Sequence, residues 1–247
     1  MSDEEPSGAE GSRVVLITGG SRGIGAACVA WFVNNGDRVA FTARGEQAGE
    51  RSDGALAIQC DVTRPDQVEA AFAAIEAHFG PVEVLVANAG ITRDTLIVRM
   101  SEEAWSEVIE TNLTGAYRVA RRAVAKMLRL HRGRVIFISS VGAFVGLPGQ
   151  ANYAASKAGM VGMARALARE VASRAITVNV VAPGLVATDM IEALGNDRIE
   201  QMTGLVPLGR TATPDEIADA VGFLASAGAG YITGAVLPVD GGMGMGL

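Results

Sequence analysis

Val14–Gly25 reads VVLITGGSRGIG: a run of β-formers, a turn rich in glycine, and the start of a helix. Glycines let a backbone turn tightly and approach an anion, whose charge meets the free N–H groups at the helix N-terminus. The spacing is TGxxxGxG rather than GxGxxG, and a glycine turn taken alone serves tight packing equally well. Its weight comes from the rest of the chain.

Seven β-rich runs recur along the chain: Val14–Thr18, Arg38–Ala43, Leu56–Cys60, Val82–Ala87, Arg134–Ser139, Thr177–Ala182 and Ala235–Val239. Most are separated by helical patterns, and continuous apolar runs alternating with helices indicate parallel strands buried on both faces. Helix starts are marked as well. Thr63-Arg64-Pro65-Asp66 places Thr63 as N-cap with Pro in the first turn, and Thr213-Pro214-Asp215-Glu216 adds a capping-box Glu. Ser101 before Glu102 and Glu103 is a third start. No internal repeat or linker divides the pattern. It predicts a single α/β domain over residues 13–247, a doubly wound parallel sheet of seven strands with helices on both faces, the Rossmann fold. The acidic segment 1–12, MSDEEPSGAEGS, has no apolar core of a signal peptide and is expected to be a solvated tail.

Composition narrows the function. The 247 residues are 49% hydrophobic and only 5% aromatic, which suits closely packed helices over a buried sheet. A net charge of −6 gives no general attraction to nucleic acid or anionic membrane. No apolar stretch is long enough to span a bilayer, so a cytoplasmic protein is expected. Cys28 and Cys60 have no CxxC or His-rich neighbours and read as buried thiols in a reducing compartment. His78 and His131 fall near helix ends without ligand-like spacing, so no metal site is expected.

Ligands of doubly wound sheets bind outside the carboxyl ends of the strands. After the first strand, Gly19, Ser21, Arg22, Gly23, Ile24 and Gly25 form the expected phosphate turn. The second strand ends at Arg44, where an NAD site usually offers an acid and an NADP site an arginine. Arg44 with Arg22 therefore predicts NADP(H), although Glu46 works against it and solvated surface arginines are the alternative. Asp61-Val62 ends the third strand; its carboxylate is placed either to accept an adenine amino group or to cap the next helix, with Thr63 as competitor. Asn88-Ala89-Gly90 ends the fourth, small enough for a cofactor to lie flat and equally consistent with a simple turn. After the fifth comes Ser140–Lys157, SVGAFVGLPGQANYAASK. Tyr153 and Lys157 stand four residues apart, on one helix face, with Ser140 arriving from the strand end: a proton-transfer group.

Beyond residue 12 the sequence resembles the short-chain dehydrogenase/reductase family. The matching segments are TGGSRGIG at 18–25, Asp61-Val62, Asn88-Ala89-Gly90, Asn112, Ser140, Tyr153-Ala154-Ala155-Ser156-Lys157 and Pro183-Gly184. Tyr-x-x-x-Lys alone is a common accident; with a Ser thirteen residues upstream and the glycine turn in order, it is highly specific. Within the family, NLTGAYRVAR, GQANYAASKAG, ITVNVVAPGLVATDM and VDGGMGM are most similar to the β-ketoacyl-acyl carrier protein reductases. That resemblance implies NADPH, a homotetramer, and reduction of 3-oxoacyl thioesters on acyl carrier protein to (R)-3-hydroxyacyl thioesters. Tyr153 would then donate a proton to the keto oxygen and Ser140 a hydrogen bond. A tyrosine near pKa 10 would need lowering by roughly three units, about 4 kcal/mol, with Lys157 and the oxidised nicotinamide as sources. The resemblance also gives Lys157 a bond to the nicotinamide ribose and Asn112 a water linking the lysine to solvent. Pro183, Gly184, Val186 and Thr188 would cradle the nicotinamide carboxamide.

Several expectations concern substrate and assembly. Phe144, Val145 and Leu147 suggest an apolar acyl channel. Residues 187–210, with Met190, Ile191, Leu194, Met202 and Leu205, are expected to form a lid. Among the basic residues Arg121, Arg122, Lys126, Arg129, Arg132, Arg134 and Arg174, a solvated face is the default. The resemblance points to Arg129, Arg132 and Arg174 as docking residues for an acidic carrier protein, with His131 and Arg132 sharing one position. The small-residue helix around Ala154–Ala172 and the tail Gly241–Leu247 fit the tetramer. Two other functions compete: a related reductase acting on acetoacetyl-coenzyme A, a sugar or a hydroxysteroid, and an NADPH-sensing protein without turnover. A sensor would be expected to lack the tyrosine or lysine, and here Asn112, Ser140, Tyr153 and Lys157 are all present.

Overall fold

Each of the seven runs becomes a strand, because its apolar residues find cover on both faces of one sheet. The structure, a computed structural model, describes residues 12–45, 49–50, 54–188, 191 and 195–245. The parallel strands are β1 (Val14–Thr18), β2 (Arg38–Ala43), β4 (Leu56–Gln59), β5 (Val84–Ala87), β6 (Gly133–Ile138), β7 (Ile176–Pro183) and β8 (Val236–Val239). They stand in the order β4-β2-β1-β5-β6-β7-β8, and every neighbouring pair is parallel. An addition escaped the sequence pattern: β3 (Gly49–Glu50), two residues antiparallel to β4 at the sheet edge. Residues 1–11 of the expected tail, 1–12, lie outside the described residues, and the Ser12 carbonyl accepts from Arg38.

β1 shows how the core is divided. Val14 and Leu16 enter one buried cluster with Val68, Phe72, Val119, Met127 and Met160, whereas Val15 and Ile17 enter another with Val29, Phe32, Ile217 and Val221. Alternate side chains of a strand point to opposite faces, so a strand apolar at every position needs helices on both sides. The first face is covered by α2 (Pro65–His78), α4 (Gly115–Leu130) and α6 (Ala151–Val171). The second is covered by α1 (Gly23–Asn34) and α8 (Pro214–Ala225). The remaining helices are α3 (Glu102–Ile109), the short α5 (Gly142–Val145) and α7 (Asn196–Thr203).

Two of the three marked helix starts form as expected. Thr213 caps α8 in a reciprocal capping box with Glu216, and Ser101 Oγ accepts from Ala104 N at the head of α3. The third is corrected. The N-cap of α2 is Arg64, which makes no side-chain cap bond; the Thr63 hydroxyl donates instead to Asp61 Oδ1 at 2.8 Å. The closer carboxylate wins the hydroxyl. Between α3 and α4 the chain keeps turning through a π-helical segment, Glu110–Thr114, that the sequence pattern did not announce. Such turns recur at functional sites because one extra residue re-aims a side chain.

Strand order reverses between β1 and β5: the chain builds outward to β4, then returns to add β5 beside β1. The crevice beyond the carboxyl ends of these two strands is therefore the expected ligand position.

Candidate active site

At that crevice the glycine turn and the end of β5 lock together. Thr18 Oγ1 accepts from both Asn88 N and Ala89 N at 3.1 Å. Asn88 Nδ2 donates to Thr18 O at 3.0 Å and to Gly19 O at 3.1 Å, so the amide faces the turn as a clamp. Gly19 has φ 69°, a left-handed conformation, and a Cβ on it would stand 3.0 Å from Ala89 Cα. A Cβ on Gly25 would press into the Gly19 carbonyl and stand 2.7 Å from Asn88 Nδ2.

These features fit an anionic dinucleotide. α1 begins at Gly23 with no side-chain cap bond and no acidic residue in its first turn, leaving the dipole end for an anion. Ser21, Arg22 and Arg44 are exposed at its rim, while Ile24 packs down on the core. Across the cleft, a Cβ on Gly23 would stand 3.3 Å from Thr188 Cγ2, so the glycine turn faces the segment after β7. That segment is anchored by Val141 N to Pro183 O (2.8 Å), Gly184 N to Val239 O (3.0 Å), and the bridge between Val186 and Ala212. Thr188 Oγ1 donates to Val186 O at 3.3 Å. At the end of β4, Asp61 Oδ1 is engaged by Thr63 N and Oγ1, and Val62 is buried against Gly115.

The proton-transfer group is assembled from three elements. β6 delivers Ser140, α6 carries Tyr153 and Lys157, and the π turn carries Asn112. Ser140 is close enough to Tyr153 to act on the ionisation of its hydroxyl, and Ser140 Oγ accepts from Gly142 N at 3.1 Å. Lys157 is buried, its Nζ 5.6 Å from the Tyr153 ring centroid and donating to Ile138 O at 2.7 Å. A Cβ on Gly90 would meet Asn112 Oδ1 at 3.2 Å and Lys157 Nζ at 3.4 Å, so both groups rest against that glycine.

Asn112 is fully buried and spends its amide on protein partners. Its Oδ1 accepts from Ile91 N (2.8 Å), and its Nδ2 donates to Ile91 O (3.0 Å) and Ser156 Oγ (3.1 Å). The side chain is a brace between the π turn, the end of β5 and α6.

The lowered tyrosine was expected beside oxidised nicotinamide; in the chain alone the shift has the opposite sense. Burial pushes Tyr153 up to about 12, the neighbouring Ser140 opposes this, and Asp94 adds to it. The same burial pushes Lys157 down to about 8. In the chain alone, the tyrosine is a protonated donor.

Four supporting side chains were missed. Ser139 Oγ donates to Lys157 O at 2.9 Å, and Ser156 Oγ donates to Tyr153 O at 2.7 Å, each next in sequence to an expected site residue. Asn152 is fully buried; its Nδ2 donates to Arg93 O (3.1 Å) and Ala104 O (3.2 Å), and its Oδ1 accepts from Tyr153 N (2.8 Å). Asp94 Oδ2 accepts from Gln150 Nε2 at 2.7 Å across the mouth. Buried Asn and Ser beside Tyr153 and Lys157 were the available signal.

The arginines expected to dock a carrier protein lie elsewhere. Arg129 is exposed in the last turn of α4, Arg132 pairs with Glu83 at 2.7 Å, and Arg174 Nη1 meets His131 Nε2 at 2.7 Å. They sit where β6 and β7 begin, whereas Ser140 follows the other end of β6, six residues or about 20 Å away. Arg122 and Lys126 are neutralised by Glu69 and Glu76 of α2, which accounts for that part of the basic face. Of the expected lid, Met190 and Leu194 lie outside the described residues. The described part includes α7, which borders a concavity of about 520 Å³ lined by Ile199, Glu200, Thr203, Gly204, Val206 and Gly209. Among the described residues no helix is long and apolar enough to cross a membrane.

Comparison with known proteins agrees with this geometry. A family model described as Enoyl-(Acyl carrier protein) reductase matches residues 19–244. The 3-oxoacyl-[acyl-carrier-protein] reductase MabA of Mycobacterium tuberculosis is 53% identical over 236 residues, 95% of this chain and 94% of its own. The 3-oxoacyl-[acyl-carrier-protein] reductases FabG of Vibrio cholerae and Escherichia coli are each 46% identical over 236 residues, 94% of this chain and 97% of theirs. With the match spanning the glycine turn, the proton-transfer group and the last strand, the chain belongs to the short-chain dehydrogenase/reductase family.

Proposed function

We propose that the chain reduces 3-oxoacyl groups on acyl carrier protein to (R)-3-hydroxyacyl groups, using NADPH, as a step of fatty acid elongation. The observation that carries this reading is the convergence of Ser140, Tyr153 and a buried Lys157 beside the crevice where strand order reverses. Two neighbouring hydroxyl donors, Ser140 and Tyr153, suit one carbonyl oxygen. NADPH, when bound, supplies the hydride and in its oxidised form a positive charge. Gly19, Ser21, Arg22, Gly23, Ile24 and Gly25 would hold its phosphates, Arg44 its 2′-phosphate, and Asp61, Val62, Ala89 and Gly90 its adenosine side and ribose. Asn88 serves that site as the clamp of the glycine turn. Pro183, Gly184, Val186 and Thr188 would hold the nicotinamide.

The chain's own residues handle the proton. As negative charge develops on the keto oxygen, Ser140 donates a hydrogen bond to it and Tyr153 transfers its proton. Holding Tyr153 up at about 12 keeps it loaded at neutral pH, which a carbonyl reduction requires. Lys157, brought down to about 8, is close to ambient pH and suits reloading of the phenolate. Asn112 fixes the height of α6 against the end of β5 through Ser156 and Ile91.

Phe144, Val145 and Leu147 on one side of the mouth, with exposed Leu96, Ile97 and Val98 on the other, are the proposed contacts of the acyl chain. Arg129, Arg132 and Arg174 remain the proposed carrier-docking residues. Because they lie at the far end of the sheet from Tyr153, they would serve the site of a neighbouring copy, in keeping with a homotetramer. Exposed Tyr117 and Leu128 on α4 and Phe223 on α8 are apolar surface such an assembly would cover.

The deciding experiment measures NADPH oxidation with acetoacetyl thioesters. Tyr153→Phe is expected to lose about 10²–10⁴-fold in turnover while NADPH binding, read by its fluorescence, persists. Undiminished turnover in that variant refutes the mechanism.

A further inference from the structure

Elsewhere in the core, glycine marks want of room. At Gly25, Gly133 and Gly222 a Cβ would overlap the Gly19 carbonyl, Met127 and Trp31. Gly142, just after Ser140, is buried too, yet a Cβ there would meet nothing nearer than 3.4 Å. Nor does it stand in the left-handed region, so no backbone strain calls for glycine. Alanine would fit and would restrict the unfolded chain, which makes glycine the less stabilising residue here. Protein interiors are close-packed and leave few such gaps. A methyl-sized space is thus left empty at a buried position beside the reacting serine.

The walls of that space are defined. Around the missing Cβ, Ser140 Oγ stands at 3.4 Å, and Leu147 Cδ1 and Gln150 Oε1 each stand at 3.7 Å. Gly142 N donates to Ser140 Oγ at 3.1 Å, so the gap and the hydroxyl keep one relative position. Gln150 is held from its other end, its Nε2 donating to Asp94 Oδ2 at 2.7 Å, while Thr95 N donates to Gly149 O at 2.9 Å. Leu147 supplies the apolar wall and belongs to the proposed acyl contacts. A carbonyl oxygen bonded to Ser140 would lie about 2.7 Å from Oγ. A methyl on the carbon beside that carbonyl comes within contact distance of the same hydroxyl, where the gap is.

We propose that the gap at Gly142 is a subsite for a methyl branch on a carbon next to the keto group, and that Gly142 determines whether branched 3-oxoacyl thioesters are accepted. The inference rests on the carbonyl-reductase reading and adds to it a class of acyl group. Filling or blocking one methyl-sized pocket changes kcat/KM by about 10–200-fold.

The test compares kcat/KM for NADPH oxidation by acetoacetyl, 2-methyl-3-oxobutanoyl and 4-methyl-3-oxopentanoyl thioesters. The first is straight, the second is branched on the thioester side, and the third is branched on the chain side. The wild type should turn over a branched thioester within about tenfold of the straight one. In Gly142→Ala the added methyl occupies the gap, and the ratio of branched to straight should fall by about tenfold or more. The arm that falls tells on which side of the carbonyl the gap lies. A ratio unchanged in both arms overturns the proposal, as does a wild type that refuses both branched thioesters. Damage to folding or to the Ser140 hydroxyl would lower all three rates together and leave the ratio unchanged, so it too counts against the subsite. Leu147→Ala gives a second reading, because it cuts back the apolar wall. An ethyl-branched thioester should then gain on its methyl homologue by about tenfold, and no gain overturns the proposal. Failure of the reductase reading looks different: no thioester, straight or branched, drives NADPH oxidation, and the proposal falls with it.

Discussion

Replacing Lys157 with methionine removes an ammonium that the fold keeps out of water. Burial holds this lysine at about 8 against an ordinary 10.5. At about 1.4 kcal/mol per unit, that gap of about two and a half units makes the charged form cost about 3 kcal/mol. Methionine fills similar space without the charge and loses the hydrogen bond to Ile138 O, worth about 1 kcal/mol. Near pH 7, Lys157→Met should therefore be the more stable protein by about 2 kcal/mol. The advantage depends on pH. Between about 8 and 10.5 the unfolded chain holds the lysine proton and the folded chain has released it, so wild-type stability rises with pH across that window. By its upper end the variant should be the less stable by about 1 kcal/mol. Cys28 and Cys60, pushed up by burial to about 12 and about 11, slope the other way above pH 9. They are common to both proteins, so the difference isolates Lys157. The assay is urea unfolding of both proteins at several pH values and one fixed protein concentration, since assembly makes stability concentration-dependent. Parallel curves across the window would show that the ammonium is solvated, and the role given to Lys157 in reloading the tyrosine would fall with them.

The cofactor cradle and the surface give further expected outcomes. Gly25→Ala forces a methyl against the Gly19 carbonyl and the Asn88 amide, which should cost about 3 kcal/mol and abolish NADPH binding; a thermal melt within a degree or two of wild type would contradict the packing. Arg44→Ala should weaken NADPH by about tenfold and leave NADH affinity unchanged, measured by fluorescence titration; equal loss for both would remove Arg44 from the 2′-phosphate. Charge reversal at Arg129, Arg132 and Arg174 should raise KM for carrier-linked substrate and not for a small thioester, and equal effects on both would sink the docking role.

The strands were legible because parallel strands buried on both faces need unbroken apolar runs. β1 and β2 match their runs residue for residue, and the others differ at one or both ends by one or two. What was not legible depends on three-dimensional competition. Thr63 looked like a cap because sequence cannot show that Asp61 is nearer to its hydroxyl. Gly49–Glu50 is too short for any alternation to register. In the site, the types Ser140, Tyr153 and Lys157 and their spacing were readable, since helical geometry alone places two of them on one face. The sign of the tyrosine shift was not, because it depends on how much water the fold excludes. Asn112 was found, but its partner Ile91 lies twenty-one residues away and offers only backbone, which leaves no mark in side-chain chemistry.

The π turn at Glu110–Thr114 makes the site sensitive to chain length as well as to residue type. It holds one residue beyond what an α-helix would need, and one residue turns a helix by about 100°. Deleting one position there would let a regular helix run from Glu102 into α4 with the flanking faces still in register, so Ala116, Val119, Ala120, Ala123 and Met127 would keep their core contacts. What would be lost is the bulge that aims Asn112 at Ile91. Substitutions are the tolerable changes in this segment, and a single-residue gap is the intolerable one. A library of one-codon deletions through residues 110–114 should return no active enzyme, although the same deletions would leave every expected site residue other than Asn112 in the sequence.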